Sequence, residues 1–278
     1  MIVSIASGKG GTGKTTVAVN MALSIGNVQL LDCDVEEPNV HILLKPRIDK
    51  IEQVQVSYPR ILDDKCNLCG DCINFCKYNA LFVTAEKVIV FPGLCHSCGG
   101  CSLICPNTAI IEEKRVVGTT KKGTKRNIEL VYGELNVGEP MAGPVIRAVK
   151  THLKKDGSVI IDAPPGTACP LVASIHGSDF CILVTEPTPF GLHDLKITTQ
   201  VVRQLEIPFG VVVNMAGIGD KEVYNYCEKE EIPIMLEIPF ERRIAELYSR
   251  GLPFIEEMSE WKAKFLLLWD DTEERVNR

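Results

Sequence analysis

The chain has 278 residues, 45% of them hydrophobic and 24% charged, which suits one large α/β domain or a medium domain plus a small one, and no tract has the composition of a disordered segment. A net charge of −6 excludes a general electrostatic attraction to phosphate backbones, so no nucleic-acid partner is expected. No apolar run reaches the roughly 18 residues of a membrane span, and the N-terminus opens as a strand rather than a signal peptide, so a cytoplasmic protein is expected.

In chain order, residues 1–7 form a continuous apolar run ending at a glycine-rich turn, which predicts a buried strand; helical spacing follows over 14–25 and a second buried strand over 28–32. Further short apolar runs at 158–162, 180–185, 209–214 and 234–238 alternate with helix-like stretches. Alternation of this kind predicts a doubly wound α/β fold with a mostly parallel sheet. It is interrupted between 58 and 112, where cysteines, glycines and short strands replace helical periodicity, so the expected organisation is 1–57, an insert at 58–112, and 113–278. The insert repeats itself, with CNLCGDCINFCKYNAL from Cys66 matching CHSCGGCSLICPNTAI from Cys95 at an offset of 29 residues. The basic stretch 114–126 reads as a hairpin with a solvated tip leading back into the main domain.

Gly8-Lys9-Gly10-Gly11-Thr12-Gly13-Lys14-Thr15 fits G-x-x-x-x-G-K-[ST] between a predicted strand and a predicted helix, the context that a phosphate-binding loop requires. Its glycines let backbone N–H groups surround phosphate oxygens, Lys14 adds a cation, and Thr15 offers a hydroxyl to Mg2+. With Lys9 as a second lysine, the KGGTGKT form resembles the MinD/ParA-type deviant Walker A ATPases, and three further segments match that family in order. The resemblance implies binding of ATP or ADP through Gly8 to Thr16 and a nucleotide-dependent homodimer in which Lys9 reaches the partner's phosphates. Leu31-Asp32-Cys33-Asp34 resembles the second carboxylate motif, giving Asp34 a water-positioning role. The segment from Ile160 to Gly166 resembles Walker B and switch II, placing Asp162 near Mg2+, and Asn214 and Pro239 match positions that recognise adenine. The same loop occurs in partition proteins, nitrogenase-type iron proteins and cluster-carrier ATPases, so it does not choose among those functions.

Cys66, Cys69, Cys72 and Cys76 follow C-x2-C-x2-C-x3-C, and Cys95, Cys98, Cys101 and Cys105 repeat it before Pro106, a spacing that resembles bacterial ferredoxins with two 4Fe-4S clusters. Zinc would leave excess cysteines at this spacing. The resemblance implies a small α+β ferredoxin-like domain in which Cys66, Cys69, Cys72 and Cys105 hold one cluster and Cys76, Cys95, Cys98 and Cys101 the other. Lys77 stands where the first run would carry proline. Cys33, Cys181 and Cys227 read as buried thiols, whereas Cys169, seven residues after Asp162, resembles the switch II cluster ligand of nitrogenase iron proteins. The combination predicts an ATPase that couples nucleotide turnover to low-potential electron transfer or to cluster handling for a redox or cluster-accepting partner. The alternatives are a positioning or partition ATPase with structural or redox-sensing clusters, and a plain electron carrier regulated by ATP. The acidic end of the tail at 270–274 disfavours a lipid anchor and predicts a docked final helix.

Overall fold

Strands covered by helices on both faces have no polar side to show, and the uninterrupted apolar runs of this chain become such strands. The computed structural model describes residues 1–277. Its strands are β1 (Ile2–Ala6), β2 (Gln29–Asp32), β3 (Arg47–Ile61), β4 (Leu81–Val83), β5 (Val88–Val90), β6 (Ile110–Lys125), β7 (Ile128–Leu135), β8 (Val159–Asp162), β9 (Phe180–Thr185), β10 (Phe209–Ala216) and β11 (Ile234–Pro239). The helices are α1 (Lys14–Ile25), α2 (Val40–Leu44), α3 (Asp71–Phe75), α4 (Gly100–Ile104), α5 (Gly143–Lys150), α6 (Cys169–Ile175), α7 (Pro189–Gln204), α8 (Glu222–Lys229), α9 (Arg242–Ser249) and α10 (Glu260–Val276).

Among the described residues one nine-stranded sheet runs in the order β11-β10-β9-β1-β8-β2-β7-β6-β3. It is parallel from β11 to β7 and antiparallel in the last two pairings. Helices α1, α2, α9 and α10 cover one face, where Phe254, Trp261 and Phe265 pack together. Helices α5 to α8 cover the other. This is the mostly parallel, doubly wound architecture that the alternation predicts. The final helix docks on α1, burying Trp261, Phe265, Leu268 and Trp269.

The antiparallel end departs from expectation in a way that positions everything else. β7 stops at Leu135, opposite Gly118, but β6 and β3 go on pairing as far as Ile110 and Ile61. The two strands therefore leave the sheet as a ribbon of eight residues past Gly118, roughly 25 Å long at strand rise. It projects beyond the carboxyl ends of the parallel strands, the edge that also bears the loop after β1. The expected boundaries at 58 and 112 fall inside these strands, since Tyr58 pairs with Glu113 and Pro59 with Glu112. The basic stretch 114–126 does form a hairpin, β6 turning into β7, but it is nearly all strand, with the turn only at Arg126 and Asn127. Its valines and threonines suit a ladder, and carboxylates across that ladder take its cations, Lys121 with Glu134 at 2.6 Å and Lys122 with Glu129 at 2.9 Å.

Candidate functional site

The loop from Gly8 to Gly13 rises from the carboxyl end of β1, central in the sheet, and Lys14 opens α1. Gly13 has φ 94°, a conformation costly for other residues, and a side chain there would collide with Asn214. That asparagine, at the end of β10, donates from Nδ2 to the Thr12 carbonyl at 2.8 Å. Thr12 is 2% exposed and its hydroxyl has no partner. Thr15 and Thr16 stand in the first turn of α1. Pro239 closes β11 opposite Ala216 and is exposed, one residue beyond the register partner of Asn214, so the two lie on neighbouring strand ends.

Two aspartates face each other across β2 and β8, Asp32 against Asp162, both buried. Their treatment differs. Asp32 accepts from the backbone N–H groups of Asp34 (3.0 Å), Asn39 (3.1 Å) and Val40 (3.1 Å), which fixes the segment after β2. Both oxygens of Asp162 are buried without a hydrogen-bond partner. Burial pushes the Asp162 carboxyl up to about 7, with the nearby Thr15 hydroxyl and Lys14 ammonium pulling the other way. Burial likewise raises Asp34 to about 6 against the pull of Lys14. Lys14 itself is lowered by burial, with Asp162, Asp34 and Asp32 as its counter-charges. An orphaned buried carboxylate beside hydroxyls and a buried ammonium is costly alone, and it is the hard oxygen donor set that fits Mg2+ and a phosphate chain. The structural role of Asp32 escaped the sequence reading, although an aspartate closing a buried strand before Pro38-Asn39 was a signal for a segment anchored by its own backbone.

Lys9 lies against its own chain, its ammonium 3.0 Å from Glu186 beyond β9. The segment after Asp162 is tied back to the loop by Gly166 N–H to the Ser7 carbonyl at 3.1 Å, and it leads into α6, whose first residue, Cys169, is exposed. Sequence reasoning missed Lys150, which donates to the carbonyls of Ala173 (3.0 Å), Ser174 (2.8 Å) and His176 (2.7 Å) and so closes the C-terminus of α6 from α5. Burial pushes the thiols of Cys33 and Cys181 up to about 12 and that of Cys227 to about 11, which leaves all three unreactive.

At the far end of the ribbon the sequence repeat is also a backbone repeat. Leu68, Gly70 and Asn79 have φ of 60°, 83° and 53°, and Ser97, Gly99 and Thr108, each 29 positions later, have 55°, 70° and 47°. Gly70 and Gly99 open the five-residue helices α3 and α4, and β4 and β5 form a two-stranded antiparallel sheet beside them. The Ala80 N–H points to Cys76 Sγ at 3.4 Å, as the Ala109 N–H does to Cys105 Sγ at 3.3 Å. Cys66, Cys69, Cys72 and Cys105 line one cavity. Cys76, Cys95, Cys98 and Cys101 line another. Among the described residues no three His, Cys, Asp or Glu side chains close around a single ion; each thiol quartet lines one cavity. Such a set, four soft sulfurs on one cavity, fits by its donor chemistry a cluster whose irons are each bound separately.

Comparison with known proteins agrees with the nucleotide half of this geometry. The family described as the CobQ/CobB/MinD/ParA nucleotide binding domain matches residues 3–254. An uncharacterized protein of Methanocaldococcus jannaschii is 33% identical, over 94% of this chain and 97% of its own length. A protein of Pyrococcus abyssi named iron-sulfur cluster carrier protein is 24% identical, over 91% of this chain and 78% of its own. Among solved structures, the septum site-determining protein MinD of Pyrococcus horikoshii, complexed with Mg-ADP, shares the fold at a TM-score of 0.58 and 21% identity, over 98% of this chain and 94% of the other.

Proposed function

We propose, for a chain that belongs to the CobQ/CobB/MinD/ParA nucleotide-binding family, that it is an ATPase whose nucleotide cycle governs two 4Fe-4S clusters, in electron transfer to a partner protein or in cluster delivery to it. The observation that carries this reading is the division of the eight motif cysteines, four to one cavity and four to the other. Both cavities lie on a ribbon leaving the edge of the sheet that bears the phosphate loop. The relatives named iron-sulfur cluster carrier proteins support it from outside the chain.

In this reading Gly8 to Thr16 and Lys14 hold the phosphates, and Thr15 and Asp162, whose buried carboxylate has no hydrogen-bond partner, take Mg2+. Asp34, half-buried beside Lys14, orients the attacking water. Lys9 leaves Glu186 to reach the phosphates of a second copy in a nucleotide-dependent homodimer. Asn214 serves first as a brace for the loop, through Thr12, and lies with Pro239 near the base. Cys169, exposed at the head of α6, is placed to meet a cluster passed between proteins rather than to hold one of the two resident clusters. The clusters supply one-electron storage; the chain supplies the thiolates, the N–H groups that point at them, and the ribbon.

The test is iron and sulfide analysis of anaerobically purified protein, with EPR of the dithionite-reduced state with and without MgATP. About eight irons per chain and a signal or potential that changes with MgATP are expected. Full iron with no nucleotide response would reduce the protein to an ATPase with structural or sensing clusters.

A further inference from the structure

The two thiol quartets are copies of one unit, yet their surroundings are not copies, and the difference is electrostatic. The cavity of Cys66, Cys69, Cys72 and Cys105 is lined by one charged residue, the acid Asp71, and by no Lys or Arg. Two of its sulfurs take backbone N–H groups from other residues, Cys105 from Ala109 at 3.3 Å and Cys72 from Ile73. In the second cavity three do, Cys76 from Ala80 and Cys95 from Ser97, each at 3.4 Å, and Cys101 from Ser102. The lining charges Lys77 and Glu112 are of opposite sign.

Beside that second cavity stands Arg115. It pairs in the ladder with Val56, next to Ser57, Tyr58 and Glu112, which line the cavity. Its guanidinium forms a two-pronged ion pair with Glu139, Nη2 to Oε1 at 2.9 Å and Nη1 to Oε2. Side-chain exposure is 19% for Arg115 and 7% for Glu139. The pair raises the affinity of Arg115 for its proton against the opposing effect of burial, and Arg115 stands one ladder step from the Lys114–Ser57 pair, whose Ser57 lines the cavity. The remaining donor, Nε–H, is buried without an acceptor. Glu139 belongs to the loop after β7, whose last residue, Leu135, is bonded to the Val35 carbonyl at 2.8 Å, adjacent to Asp34.

We propose that Arg115 is a positioning residue that makes the cluster held by Cys76, Cys95, Cys98 and Cys101 the more easily reduced of the two, with Glu139 as its counter-charge. This rests on the two-cluster reading above. Reduction adds one electron and no proton, so the quartet and its contents become more negative by one unit. A fixed cation nearby favours that state, more strongly where water is excluded, and extra N–H groups on the sulfurs act in the same direction. The cluster of the other quartet, beside Asp71, lacks this support. An electron entering the module therefore rests in the cavity nearer the ribbon and the nucleotide domain.

Redox titration of intact, iron-loaded protein with dithionite as reductant, followed by EPR, decides it. Wild type should show two potentials. In Arg115→Gln one of them should fall, weakening that reduction about tenfold, equivalent to about 59 mV for one electron, while the other stays. Glu139→Gln should move the same potential upward, and Arg115→Lys should largely restore it. Should either single variant lose iron, the other carries the test alone: one potential should move in the stated direction while the second stays. Two unmoved potentials, or two moving equally, would overturn the role of Arg115. Protein without iron and sulfide would instead overturn the two-cluster reading itself.

Discussion

The phosphate loop and the cysteine module sit on the same edge of one sheet, but they are held in opposite ways. The loop is set on strands whose residues, such as Ile5, Leu30, Ile160 and Ile182, are completely buried, so the fold exists first and the site is what its strand ends present. The module has a core of three aliphatic residues, Leu81, Val88 and Ile110, together with Cys72 and Cys101, while Phe75, Phe82 and Leu103 remain exposed at 43%, 57% and 86%. There thiols share a small core, and the clusters proposed above, once bound to them, would supply folding energy.

The largest expected effect separates the two. Removing iron with a chelator under anaerobic acid conditions and returning to neutral pH should abolish hydrogen-exchange protection across residues 66–109 while the helix α1 stays protected. Uniform loss across the chain, or none in the module, would contradict the comparison. The converse is Phe265→Ala in α10: truncating a fully buried ring should cost about 3–5 kcal/mol of stability in the sheet domain, read by denaturant titration, with the EPR signals per iron unchanged.

Next in size is the charge balance at the loop. Asp162→Asn removes the unpartnered carboxylate and should lower Mg2+-dependent ATP hydrolysis about a hundredfold without weakening the nucleotide-free fold. The pH dependence has a definite sign. Asp34 at about 6 and Asp162 at about 7 both lie above the carboxylate's ordinary value, so the folded state holds more protons than the unfolded chain. Nucleotide-free protein should therefore lose stability as pH rises from about 4 to about 7, and Mg2+, which needs the ionised form, should stabilise it more at pH 8 than at pH 6. Thermal unfolding with and without Mg2+ measures both, and the window should narrow in Asp162→Asn.

The same contrast explains what the sequence disclosed. Helix 14–25 and strand 180–185 were legible to the residue because helical spacing after a glycine turn, and a continuous apolar run ended by a charge, have few other readings. β3 was not, because its first five residues lie exposed on the edge strand and carry charges, as in Arg47-Ile48-Asp49-Lys50, and so imitate a loop. Local spacing announced the cysteines. It could not announce the partners of Lys9, Asn214, Lys150 or Arg115, since each is set by tertiary contact; Asn214 and Thr12 lie 202 positions apart.

Lys9 offers the smallest but most direct link between fold and assembly. Its pair with Glu186 is partly exposed, at 31% and 13%, so Glu186→Gln should cost the single chain no more than about 1 kcal/mol. The same change leaves the ammonium free of its carboxylate before any second copy arrives. If Lys9 acts across a homodimer, each of the two chains contributes up to about 1 kcal/mol, so MgATP-dependent self-association should tighten by up to roughly thirtyfold in this variant, and Lys9→Ala should abolish that gain. Sedimentation velocity with MgATP reads the outcome directly. Weaker association in Glu186→Gln would mean that the carboxylate helps to present Lys9 rather than to restrain it.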